Sequence, residues 1–136
     1  MNTFLSLGSL FGLLAVIIGA FGAHGLEDSL SAHALARYHT GVEYQFYHVA
    51  ALLCLGFLSL KYDAMPRLLK IAGIAFVAGI ILFSGSLYLY ALTGITKFGM
   101  VTPIGGLAFI VGWVCLLIYS LKYKTMVTER SRSTPP

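Results

Sequence analysis

The sequence predicts an all-α integral membrane protein, a four-helix bundle with spans near 3–24, 41–60, 70–93 and 101–122. Three observations predict it. Acidic and basic residues are missing between Met1 and Glu27, Glu43 and Lys61, Lys70 and Lys97, and Lys97 and Lys122. A helix crosses ~30 Å of hydrocarbon with ~20 mostly apolar residues, because it rises ~1.5 Å per residue. Composition agrees: 58% of the 136 residues are hydrophobic, 10% are charged and mean hydropathy is +0.86. A soluble domain would carry about 25% charge. Finally, the nine basic residues divide unevenly between the ends of such a bundle. Lys61, Arg67, Lys70, Lys122, Lys124, Arg130 and Arg132 fall on one side, and only Arg37 and Lys97 on the other. Cytoplasmic segments are enriched in Lys and Arg, so both termini are expected inside.

The first span runs from Phe4 to Ala23 without a charge, longer than a signal-peptide core, and no Lys or Arg precedes Arg37. It is read as a retained helix and not a cleaved leader. The first outer loop contains Ser31-Ala-His-Ala-Leu-Ala-Arg-Tyr, with Asp28, Ser29 or Ser31 to cap it. A short interfacial helix, or an extension of the second span, is expected there. Pro66 closes the inner connection and can open the third helix, since proline is tolerated in a first turn. Residues 1–123 form one membrane domain. The Ser/Thr/Arg/Pro-rich segment 124–136 is expected to be a disordered cytoplasmic tail.

In lipid, close packing of small residues and hydrogen bonds must hold helices together, because apolar burial barely contributes. Gly8, Gly12, Ala15, Gly19 and Gly22 follow spacings of 4, 3, 4 and 3 along the first span. Gly79 belongs to a similar seam on the third span, and Gly105 and Gly112 to one on the fourth. These eight are the expected helix-packing residues. The seams serve packing within the chain or a homo-oligomer.

The net charge of +4 does not point to nucleic acid. The basic residues are scattered at helix ends, where topology signals and anionic-lipid contacts sit. Cys54 and Cys115 lie inside apolar spans and make no redox or metal motif.

The polar residues of the spans fall at one level in the outer half. Such residues are costly in a membrane and face the bundle interior or a cavity. His24, Tyr44, Gln45, His48, Ser84, Ser86, Tyr88 and Thr102 form the candidate ligand-binding set. Gly41, Tyr44, Gln45 and His48 follow i, i+3, i+4, i+7 and so share one helix face. Tyr38 and Tyr44 read best as an aromatic belt at the headgroups. The simplest role for Gln45 and His48 is hydrogen bonding to Ser84, Ser86 or backbone carbonyls. A metal held by His24, His39, Glu43 and His48 is chemically suitable, yet the ligand spacing is not that of a metal motif. No catalytic residue, cofactor or metal is assigned, because no nucleophile stands with a recognisable base and oxyanion hole.

Three groups of residues carry a resemblance: Gly19-Ala-Phe-Gly-Ala-His-Gly-Leu; Tyr44-Gln-Phe-Tyr-His-Val-Ala-Ala-Leu-Leu; and Phe83-Ser-Gly-Ser-Leu-Tyr with Leu92-Thr-Gly, Thr102-Pro-Ile-Gly-Gly and Gly112-Trp. From Met1 to about Lys122 the chain resembles the small four-helix membrane family of unknown function that includes bacterial YwdK and YgdD and eukaryotic transmembrane protein 256. The resemblance implies a multi-pass protein of the bacterial cytoplasmic membrane, and it implies no activity. The leading reading is a non-enzymatic protein of the lipid bilayer, structural or binding an amphipathic ligand. The alternatives are an oligomeric small-solute or ion pathway, and a membrane enzyme or metal protein centred on His48.

Overall fold

The computed structural model describes residues 3–62 and 64–133. Among the described residues the chain is helical, without strands. Helix α1 covers Thr3–Gly25 and α2 covers Ala32–Ser59. Helix α3, Arg67–Gly79, runs through a π-helical turn, Ile80–Ser84, into α4, Gly85–Thr93. A single turn α5, Thr96–Gly99, precedes α6, Thr102–Ser133. Among the described residues four segments are long and apolar enough to cross a membrane: Thr3–Gly25, Ala32–Ser59, Arg67–Thr93 and Thr96–Tyr123.

The separate interfacial helix expected in the first loop does not form. Residues 32–40 are the opening turns of α2, which is the expected extension of the second span. Ser31 caps it, its hydroxyl accepting from Ala34 N–H at 3.3 Å. No proline or cluster of turn residues follows, so nothing breaks the helix before Gly41. At the other end of the chain α6 passes Lys124 and continues to Ser133, where composition predicted disorder. The first Pro after that point is Pro135, and the residues between include good helix formers. Thr134–Pro136 lie outside the described residues.

Each turn has a local cause. Pro66 holds the N-cap position of α3. Gly94 ends α4 in the left-handed region, at φ 70°, with its N–H on the Tyr90 carbonyl at 2.9 Å. Pro103 occupies the first turn of α6, where its missing N–H costs nothing.

Helix α2 is the most buried span, and α1 and α6 are the least. α1 packs on α2, α2 on α4 and the π turn, and α3 and the π turn on α6. Along α1, Gly8, Ala15 and Gly22 are buried. A Cβ on Gly8 would lie 2.9 Å from Leu53 Cδ2, one on Gly12 3.3 Å from Val49, and one on Gly19 3.2 Å from Val42. A Cβ on Gly22 would lie 2.5 Å from Tyr38 Cε1. All four neighbours are on α2. A Cβ on Gly105 would lie 2.7 Å from Phe83 Cα, and Gly79 and Gly112 lie against Phe109 and Phe76. The end that carries the α1–α2 loop and α5 is called outer below, following the charge asymmetry.

Candidate functional site

The polar face of α2 is the centre of the outer half. Gly41, Gln45 and His48 are buried, while Glu43, Phe46 and Tyr47 are exposed. Tyr44 is at the edge of that face, 39% exposed, with its ring 4.6 Å from that of Phe83. The face exists because α2 meets α1 on one side and α4 and the π turn on the other. Both contacts bring backbone or ring atoms within hydrogen-bond reach.

Gln45 is 3% exposed and ties two helices together. Its Nε2 donates to the Phe11 carbonyl of α1 at 2.8 Å, and its Oε1 accepts from the Tyr88 hydroxyl of α4 at 2.8 Å. A helix carbonyl has a second lone pair, so Phe11 can take this bond without breaking α1. Tyr38, expected in the aromatic belt, is instead 2% exposed. Gly22 leaves room on α1 for its ring, and its hydroxyl donates to the Ile18 carbonyl at 2.8 Å. The rings of Tyr38 and Tyr88 lie 5.1 Å apart and close the layer.

His48 is 4% exposed and sits in an aromatic box. Its ring stacks on Phe109 with centroids 3.4 Å apart and planes 7° from parallel, and Phe76 lies 5.4 Å away. Nδ1 is 2.7 Å from the Tyr44 carbonyl, and Trp113 Nε1 donates to Nε2 at 3.2 Å. The chemistry of the partners fixes the tautomer. An indole N–H only donates and a carbonyl only accepts, so Nε2 is bare and Nδ1 carries the proton. His48 is therefore held neutral, with its one free lone pair given to Trp113.

The serines do not serve as partners for Gln45 or His48. Ser86 donates to the Phe83 carbonyl at 2.9 Å, so at 2.8 Å it accepts from the Thr102 hydroxyl and links α4 to α6. Ser84 is fully buried, and among the described residues its Oγ is the buried side-chain polar atom without a partner. A serine inside a helix commonly turns its hydroxyl to the carbonyl four residues back. For Ser84 that is the Ile80 carbonyl, which accepts from Gly85 N–H in the π turn, and the Ser84 hydroxyl makes no bond to it.

Two expected members stand apart. His24 is exposed in the last turn of α1, and Tyr44 contributes its carbonyl and ring edge more than its hydroxyl. Among the described residues no group of three His, Cys, Asp or Glu converges on a metal-sized site. The sequence reading missed Phe76, Phe109 and Trp113 as the box around His48. They read as ordinary apolar residues, and only the Gly112-Trp pair hinted at Trp113.

A family of proteins of unknown function, DUF423, matches residues 18–106. The chain belongs to this family. It is 44% identical to the UPF0382 membrane protein YwdK of Bacillus subtilis over 90% of this chain and 99% of that one. A UPF0382 membrane protein of Staphylococcus aureus is 45% identical over 90% of this chain and 98% of its own length. One from Haemophilus influenzae is 40% identical over 92% and 98%. No solved structure matches the chain. This DUF423 member is thus a multi-pass membrane protein with apolar helix faces against the lipid bilayer, and its bacterial relatives are membrane proteins too.

Proposed function

We propose that the protein is a non-enzymatic component of the bacterial membrane, with both termini in the cytoplasm, and that its outer polar cluster is a structural clamp. His48 carries this reading. A general base or a metal ligand needs a free imidazole lone pair, and here that lone pair accepts from Trp113. Gln45, Tyr38, Ser86 and Thr102 likewise spend their bonds on other helices. The seams on α1 and α6 lie against neighbours in the same chain, which supports a monomer as the working unit.

One observation favours a second reading, a small polar ligand at the cluster. Ser84 Oγ is buried and uncommitted. Native mass spectrometry of protein released from its own membrane lipids, wild type beside His48→Ala, separates the two. The clamp predicts a monomer mass with no adduct that depends on His48, and lower thermal stability for the variant. A stoichiometric adduct lost in His48→Ala would make the cluster a ligand site.

A further inference from the structure

We propose that the inner end of the bundle binds an anionic glycerophospholipid, with an acyl chain in the groove between α1 and α3 and the phosphate at Lys70. This goes beyond the clamp, which concerns the opposite half.

The groove has a volume of about 900 Å³. That lies within the range of ~300–1,000 Å³ typical of ligand pockets. Phe4 and Leu7 of α1 and Ile74 and Val77 of α3 make it apolar, and Lys70 and Tyr62 add polar groups. Such a mixture suits an amphiphile and not a free anion. Phe4 lies over Gly73, so one ring bridges the two helices where they would otherwise part.

Charge chooses the headgroup. Lys70 is exposed in the first turn of α3, and no described carboxylate pairs with it. Residues 60–70 hold Lys61, Arg67 and Lys70 against the single acid Asp63. Pro66 supplies no side-chain cap, so the positive end of the helix dipole adds to the same place. Depth agrees as well. The span Arg67–Thr93 has 27 residues. At ~1.5 Å per residue it is roughly 40 Å long, against ~30 Å of hydrocarbon, which puts its first turn among headgroups.

The test is lipid retention by the full chain in vesicles of equal phosphatidylglycerol and phosphatidylcholine, read by native mass spectrometry. Wild type is expected to retain about one phosphatidylglycerol in preference to phosphatidylcholine. Lys70→Gln is expected to lower that preference about fivefold, the equivalent of ~1 kcal/mol for a basic residue at an anionic surface. Ile74→Trp, at an exposed position, fills the groove and is expected to lose retained lipid of both kinds, with helix content unchanged by circular dichroism. Lys97→Gln, at the outer end, is expected to behave as wild type. Equal retention of the two lipids by wild type would overturn the proposal. So would an unchanged preference in Lys70→Gln, retention that survives Ile74→Trp, or an equal drop in Lys97→Gln.

Discussion

In the outer half, Gln45 and His48 are buried and each makes two hydrogen bonds, one or both of them to another helix. At the inner end, Lys70 is exposed beside an open groove, and α1 and α3 stand apart. Side-chain size produces the difference. Gly41 admits the Tyr88 ring and Gly105 admits the Phe83 backbone, so the outer helices approach closely enough to bond. At the inner end Gly56 lies against the Leu5 backbone where α1 meets α2, whereas between α1 and α3 the space is lined by the bulky Phe4, Leu7, Tyr62 and Met65. A polar residue in a membrane helix therefore points to packing where glycines bring backbones together, and to solvent or lipid where bulky side chains keep them apart. At the inner end the Tyr62 and Tyr119 hydroxyls make a polar tie between the loop after α2 and α6.

Paired glycine substitutions break this contrast with the largest effect. A Cβ on Gly105 would meet Phe83 backbone, which cannot move away, whereas one on Gly73 would meet only the ring of Phe4. Gly105→Ala is expected to cost about 3 kcal/mol, the upper range for overpacking, and Gly73→Ala under about 1 kcal/mol. Reversible unfolding in bicelles measures both. Equal costs would mean that the two ends are packed alike. Next in size, Gln45→Leu removes the tie between α1 and α4. Intramembrane hydrogen bonds average about 0.6 kcal/mol each, so a loss of about 1 kcal/mol is expected in the same assay. A change near zero would leave the outer cluster without a structural role for Gln45.

Much of the fold was legible because a bilayer imposes simple rules. Four gaps in the charge pattern mark the spans, and the 4, 3, 4, 3 spacing on α1 marks the strip that lies along α2. The level of the polar residues followed from topology alone. Their partners did not. Pairing depends on the rotation and depth of one helix against the next, and neither is written locally. The π turn at Ile80–Ser84 adds a residue to one turn and so resets the faces of α4 relative to α3. Ser84 and Ser86 consequently end with different fates, and neither meets His48. Trp113 was overlooked because half of it faces outward, while its one polar atom points in. Tyr38 reads as a headgroup anchor because the glycine that makes room for its ring, Gly22, is on another helix.

The clamp rests most directly on the bond from Trp113 to His48. A double-mutant cycle of His48→Phe and Trp113→Phe keeps aromatic rings in both places, and the loss of the Nδ1 bond to the Tyr44 carbonyl, common to both His48 variants, cancels in the cycle. The account predicts a coupling energy of about 1 kcal/mol in reversible unfolding, within the range of interhelical hydrogen bonds in membranes. Strictly additive losses would contradict it, and would return the lone pair of His48 to the pool of groups free for chemistry.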